Sequence, residues 1–339
     1  MDLKLTKFVF SLVFGLTILI GLMWFLGFGN LWNYIRSISV EWLIVSALTI
    51  VPMNMLRSWR WRLILLSMKK NFRFSTVFWA ISIGFMANTF SPIRLGELVR
   101  AYIFRKKEKI KLSFVLSSIV IERTLDLIGL LTIGLITLFL IPYNLETFTW
   151  FADGFKLMSF LIAIIIVIFI VSIKKETRII AILTQILSML HLKLTIRNKV
   201  ILFIKSIIEG ARLVSNNPKL LLFAISLTLA YWSVQFIGLF LMFKAFSFDV
   251  PIILVLFGSL IINLSFLVPA APGHVGTYEA FFVLIFIAIG LNNTDQLLAI
   301  GVVQHLVGLA TTLILGSAGI IWFGMSFKEI FKVRPSRKT

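Results

Sequence analysis

Residues 269–279 read PAAPGHVGTYE and interrupt an apolar stretch that extends over 251–290. Residues 91–97 read SPIRLGE and interrupt a second such stretch, 75–105. Proline removes a backbone donor, and glycine opens backbone conformations that other residues resist. Each stretch is therefore expected to fold back on itself as a helical hairpin. Irregular backbone at membrane depth is tolerated only where protein or water satisfies it. The two interruptions, read as tips built on Pro92, Gly96, Pro269, Pro272, Gly273 and Gly276, decide the architecture.

The rest of the chain supplies the membrane. Of 339 residues 59% are hydrophobic and only 14% charged, and the mean hydropathy is +1.02. Such a composition belongs to a polytopic membrane protein. There is no cysteine, which excludes disulfides, a thiol nucleophile and a thiolate metal site. Span-length apolar runs occur at 8–28, 41–56, 113–141, 157–173, 219–243 and 297–323. The first follows Lys4 and Lys7, is too long for a signal-peptide core and lacks a small-residue cleavage site, so it reads as a retained span.

A net charge of +19 would suggest nucleic acid in a soluble chain. Here the 33 Lys and Arg crowd into 1–7, 57–73, 94–111, 174–219 and 328–338, and only Arg36, Arg123, Lys156 and Lys244 fall elsewhere. The positive-inside rule then puts both termini in the cytoplasm of a cell-membrane protein. That orientation requires each interrupted stretch to enter and leave on one side, 75–105 from the cytoplasm and 251–290 from outside. The expected fold is all-α, with six full transmembrane helices and two re-entrant hairpins. The basic charge reflects topology and attraction to anionic headgroups; no nucleic-acid partner is expected.

The chain reads as a single integral membrane domain, 1–339, containing an inverted repeat, 7–141 and 157–325, at an offset near 180. SALT (46–49) compares with SLT (226–228), and both tips have the spacing P-x-x-x-G. Asn88 has a counterpart in Asn263, and Glu122-Arg123 falls opposite Gln304-His305. Weak internal symmetry with broken segments at matching places points to a transporter binding site. Residues 174–218 mix apolar clusters with Lys and Arg and read as an interfacial helical segment on the cytoplasmic leaflet. Asn217 is placed to cap the helix that Pro218 opens.

Charged residues inside the apolar runs carry the chemistry. The first tip is followed by Glu97 and Arg100 and contains Arg94; the second carries His274, Tyr278 and Glu279. A helix starting after such a tip points free N–H groups at the cavity, and arginine suits phosphate. Residues 122–126, ERTLD, put Glu122, Arg123 and Asp126 near mid-span, where one charge costs about 2.5–3.5 kcal/mol on insertion scales. Glu122 and Asp126 share a helix face at i, i+4. They are expected to face the first hairpin and pair with Arg94, Arg100 or Arg123. With Arg123 one turn away, Asp126→Asn is expected to affect mainly stability. Glu122→Gln is expected to fold but stop movement, because the second half offers only Gln304 there.

RSWRW (57–61), the N-x-x-x-P…LGELVRAY break (88–102), ERTLD and PGHVGTYEA (272–280) together resemble the flippase-like membrane family, the UPF0104-type or lysylphosphatidylglycerol synthase transmembrane region. The resemblance covers about 7–325. It implies movement of phospholipid, aminoacylated lipid or polyprenyl-linked sugar between leaflets. It also implies Arg57, Arg60, Asn88, Pro92, Gly96, Glu97, Glu122, Arg123, Asp126, Pro272, Gly273, Gly276 and Glu279 as marked positions. Two departures stand out. The sequence ends at Thr339 without a soluble aminoacyltransferase domain, so it is not expected to make lysylphosphatidylglycerol itself. His274 also occupies a place where a second glycine is expected.

The expected function is a lipid flippase or scramblase that binds headgroups through these polar residues. Its partners are membrane lipids with an anionic or polyprenyl-phosphate headgroup, with a lipid-modifying enzyme as a further candidate. No cofactor or metal is expected, and there is no G-x-x-x-x-G-K-[ST] motif for ATP. Two alternatives share the features: an intramembrane transferase using E-x-x-x-D to hold Mg²⁺ on a polyprenyl phosphate, and a secondary transporter of a small solute. The topology is testable in this cysteine-free chain. Single cysteines at Ser37, Asn144 and Asn293 are expected to react with an impermeant thiol reagent from outside, and those at Ser67, Ser188 and Ser336 are not. Outside labelling at Ser188 would overturn the two-hairpin topology.

Overall fold

The computed structural model describes residues 16–17, 20–21, 28–68, 71–91, 95–140, 148–189, 194–265 and 271–327. Among these residues the chain is all-helical, without strands. The first half contains α1 (Phe28–Arg36), α2 (Val40–Leu48), α3 (Ile50–Ser67), α4 (Phe74–Thr89), α5 (Gly96–Glu108) and α6 (Leu112–Leu140). Next come α7 (Phe148–Lys174), α8 (Glu176–Met189) and α9 (Leu194–Ser215). The second half contains α10 (Pro218–Ala245), α11 (Ile252–Ser265), a 3₁₀ turn (Pro272–His274), α12 (Thr277–Ala288) and α13 (Thr294–Phe323).

Three of these helices are long and apolar enough to cross a membrane: α2 continuing into α3 over 28 residues, α10 over 28 and α13 over 30. The runs expected at 113–141 and 157–173 are the helices α6 and α7, of 29 and 27 residues. The expected first span, 8–28, lies almost wholly outside the described residues. The four helices that flank the two breaks have only 16, 13, 14 and 12 residues. At ~1.5 Å per residue even the longest falls short of a ~30 Å hydrocarbon core.

Each pair of short helices packs on itself, α4 on α5 and α11 on α12. Small residues make the first contact possible. The Gly96 amide donates to Asn88 Oδ1 at 2.7 Å, which satisfies an N-terminal donor of α5 and ties it to the last turn of α4. A Cβ on Gly96 would run into the Gly84 carbonyl, and one on Gly84 would lie 3.0 Å from the Gly96 carbonyl. The second tip turns through three left-handed residues, Gly273 (φ 65°), His274 (φ 58°) and Gly276 (φ 76°). So His274 holds a conformation that glycine adopts freely and that histidine tolerates better than most side chains. That is the physical sense of the glycine expected there. The second tip reaches the end of α4: the turn Pro272–His274 contacts that helix, and Gly273 lies beside the Thr89 carbonyl. Pro92, Arg94 and Pro269 lie outside the described residues.

The halves interlock reciprocally. α3 packs on α10, α6 reaches α11, and α13 reaches α4. The α13–α4 contact runs over Gly316 and Gly319, which lie against Met86 and Ile83, the close small-residue approach that membrane helices use. The segment expected at the interface forms α8 and α9. The inner face of α9, with Ala211 and Val214, packs onto Ile64, Met68, Ile121 and Leu125, while Leu194 and Leu202 are exposed. Asn217 caps α10 by accepting from the Leu220 amide at 3.1 Å.

Gly96→Ala is expected to destabilise by about 1–3 kcal/mol, because backbone carbonyl and Asn88 crowd the new methyl and cannot both move. Gly308→Ala, with nothing within 4 Å of the new carbon, is expected to leave stability unchanged or slightly raised. Thermal unfolding in detergent compares the two.

Candidate functional site

Helix α6 carries Glu122, Arg123 and Asp126 into the junction of α3, α5 and α10. The wide turn of an α-helix puts Glu122 and Asp126 on one face, and that face looks at α3. There Arg60, fully buried, sets Nη1 2.6 Å from Asp126 Oδ1 and donates from Nη2 to Glu122 Oε1 at 3.2 Å. It also donates to Thr228 Oγ1 at 3.0 Å. Arg57, one turn earlier, lies 3.6 Å from Glu122 and 3.8 Å from Asp126. Its guanidinium is held between the rings of Phe85 and Tyr231, at 4.4 and 4.8 Å. From α5, Arg100 Nη2 is 2.8 Å from both Glu122 Oε2 and Glu97 Oε2, and it stacks over Trp61 at 4.3 Å. Arg123 closes the chain, 2.6 Å from Glu97 and 2.9 Å from Asp126.

Among the described residues four guanidinium groups thus face three carboxylates, leaving one net positive charge. The network is closed at one end and open at the other. The side chains of Glu122 and Arg60 are 0% exposed, whereas Glu97 and Arg123 are 30% and 37% exposed. A buried charge is tolerable only with such partners. The closed end fastens α3, α5 and α6 together. The open end offers Arg123 and Glu97 to whatever enters.

This arrangement includes the pairing expected from the sequence and adds partners to it. Asp126 is satisfied by Arg60 as well as by Arg123. Glu122 pairs with Arg100, as expected, but its other partners are Arg60 and Arg57 on α3. With three arginine partners around Glu122, Glu122→Gln is now expected to cost stability. Arg94 lies outside the described residues. All three carboxylates are engaged by guanidinium groups, so E-x-x-x-D presents no open ligand pair for a metal. Among the described residues no three His, Asp or Glu side chains gather in a way that could hold one.

The second half forms a smaller cluster. Glu279, in the first turn of α12, lies 2.7 Å from His305 Nδ1 on α13, and the Tyr278 ring stacks on the imidazole at 4.5 Å. Gln235 Nε2 donates to Asn263 Oδ1 at 3.0 Å. Gln304 is the neighbour of His305, and its Oε1 is buried without a hydrogen-bond partner. Among the described contacts none joins Glu279, His305 or Asn263 to the arginine network. His274 stays in the tip turn, and Asn88 is spent on the Gly96 amide.

Two contacts recur between the halves. Asn54 donates to Ser82 at 3.1 Å, and Gln235–Asn263 repeats that bridge with each residue shifted by 181. Glu97–Arg123 recurs as Glu279–His305, each residue shifted by 182. At the shift of 181 Asn263 falls opposite Ser82, whereas Asn88 is the counterpart expected from the sequence. Sequence reasoning passed over Asn54, Ser82, Thr228, Tyr231 and Gln235. Asn54 and Gln235 alone carried a signal, as amides at matching places in apolar helices.

These features define a helical membrane protein with a buried, arginine-rich ionic network beside two broken helices. The chain belongs to the family described as the lysylphosphatidylglycerol synthase TM region, which matches residues 12–316. It is 25% identical to a UPF0104 membrane protein of Methanocaldococcus jannaschii over 93% of this chain and 95% of that one. A UPF0104 membrane protein of Methanothermobacter thermautotrophicus is 19% identical over 94% and 96% of the two chains. No solved structure matches the chain significantly.

Breaking a buried ion pair typically costs about 3–5 kcal/mol. Glu122→Gln strips a fully enclosed charge from three arginines, so it is expected to lower the melting temperature at least as far as Asp126→Asn. Thermal unfolding of the purified variants measures both. Melting of Glu122→Gln at the wild-type temperature would show that it is no lock.

Proposed function

We propose that this protein moves a lipid headgroup across the bilayer, as a flippase or scramblase. The headgroup passes the open end of the arginine network while the acyl chains stay in lipid. The observation that carries this reading is the excess guanidinium charge, with Arg123 and Glu97 exposed at the edge of a network otherwise sealed inside the helix bundle. An arginine whose two nitrogens already hold carboxylates can exchange one of them for a phosphate oxygen at little cost in geometry. The family described above is named for a lipid-modifying synthase, which agrees with a lipid substrate. Phospholipid, aminoacylated phospholipid and polyprenyl-linked glycolipid all present the required phosphate, and an enzyme that modifies one of them is the natural partner.

The architecture proposed for this work has six spans and two re-entrant hairpins, arranged as an inverted repeat in the cell membrane with both termini in the cytoplasm. It is supported by the four helices too short to cross, by the contact of the second tip with the end of α4, and by the two contacts that recur at shifts of 181 and 182. Alternating exposure of two such halves needs no nucleotide, and the protein itself is proposed to perform no bond-making step.

The test is transfer of fluorescent phosphatidylglycerol in reconstituted vesicles, read as the fraction bleached by an impermeant reductant. Arg123→Gln is expected to fold normally and to slow transfer about tenfold or more, the loss of roughly 1.4 kcal/mol of headgroup binding. Transfer at the wild-type rate by Arg123→Gln, or no protein-dependent transfer at all, overturns the reading.

A further inference from the structure

The two recurring ionic contacts differ in one respect that matters chemically. In the first half an acid in the opening turn after the break, Glu97, meets a base on the third long helix, Arg123. In the second half the equivalent acid, Glu279, meets His305 at 2.7 Å. Arginine keeps its charge at any pH a cell reaches, whereas imidazole exchanges its proton in that range. The same contact has been built once with a permanent cation and once with a titratable one.

The surroundings make that proton indispensable to the second contact. The side chains of Glu279 and His305 are only 4% and 10% exposed. Glu279 Oε2 is buried and accepts no hydrogen bond. Among the described residues no other charge is seen to compensate it. The helices α4 and α11, packed on α13 and α12, carry no titratable side chain. α10 offers Tyr231, occupied with Arg57 and Arg60, and exposed Lys219; its Lys244 is tied to Asp249 at 2.8 Å. α1 and α2 bring Arg36 and Glu41, both exposed, together with Tyr34, whose hydroxyl accepts from Asn293. Asp295 lies ten residues before His305 on α13, ~15 Å along the helix. At the tip stands His274, and Tyr278 contributes its ring. A carboxylate enclosed this way is stable only while the pair retains a proton, shared as carboxylate with imidazolium or as carboxylic acid with imidazole.

We infer that Glu279 and His305 form a proton-binding site, through which the movement of lipid responds to pH. The proton-binding part stands on the geometry alone; the link to lipid movement rests on the function proposed above. Loss of the proton leaves one uncompensated negative charge between α12 and α13, and so loosens the hold of the second hairpin on the third long helix. That helix packs along α4, whose end touches the second tip. The proton therefore acts where the two broken segments meet, and it enters or leaves only when water or a charged headgroup reaches the pair.

Two measurements test this on the full chain in lipid nanodiscs and vesicles. The chain has three histidines, so with His191→Gln and His274→Gln the ¹⁵N-histidine spectrum reports His305 alone. A titration over roughly pH 5 to 9 is expected to show His305 exchanging its proton, with a midpoint that moves by about one pH unit or more in Glu279→Gln. A pair that neither gains nor loses a proton over that range, read from the His305 ring nitrogens together with the ¹³C-carboxyl signal of Glu279, or a midpoint indifferent to Glu279→Gln, overturns the site. In vesicles holding fluorescent phosphatidylglycerol, wild-type transfer is expected to vary with pH, and His305→Arg, which copies the first-half contact, is expected to abolish that variation while keeping the wild-type melting temperature. An unchanged pH profile in His305→Arg overturns the link to lipid movement. Absence of wild-type transfer at every pH would instead refute the function, while the histidine titration still decides whether the proton site exists.

Discussion

A buried carboxylate must find positive charge within reach, and in this protein that requirement organises the first half. Glu122 is wholly enclosed, and it is held there only because Arg100, Arg60 and Arg57 converge on it from two other helices. Remove the glutamate and three guanidinium groups are left to share Asp126 and Glu97. Remove the arginines and an ion is left in a medium that cannot solvate it. The ionic network thus does for α3, α5 and α6 what apolar packing alone does poorly in a membrane, where lipid is as apolar as the helices themselves.

The same logic, applied with less charge, shapes the second half. One acid and one histidine replace the seven charged groups of the first half. The space around them is filled by aromatic and aliphatic side chains such as Phe243, Phe282 and Phe286. The asymmetry has a structural consequence. The first half is fastened by several guanidinium–carboxylate pairs, while the second has the single Glu279–His305 contact at 2.7 Å. The first contact joins its acid to an arginine and the second joins its acid to a histidine. The small residues at Gly84, Gly96, Gly316 and Gly319 bring the short helices and α13 close enough for both arrangements to work.

Several elements were legible in the sequence because their cause is local. Apolar length, the breaks at Pro92–Gly96 and Pro272–Gly276, and the Asn217–Pro218 helix start each depend on residues adjacent in the chain. So did the meaning of His274: a position after Pro-Gly that glycine would fill comfortably proves to have a left-handed backbone. The belonging of ERTLD to a polar site was equally readable, since three charges in an apolar run must find partners somewhere.

Which partners they find was not readable. Helical periodicity tells which residues share a face, but not which neighbouring helix that face meets, because apolar helices of similar length can pack in many orders at similar energy. Only the packed bundle brings Arg57 and Arg60 of α3 to Glu122 and Asp126, and Tyr231 of α10 against Arg57. Only the packed bundle pairs Asn263 with Gln235. By itself the sequence determined that this chain lives in a membrane, breaks twice and carries charge at depth. The tertiary structure decided which of those charges are sealed in and which stand open, because burial is a property of the space between helices and not of any one of them.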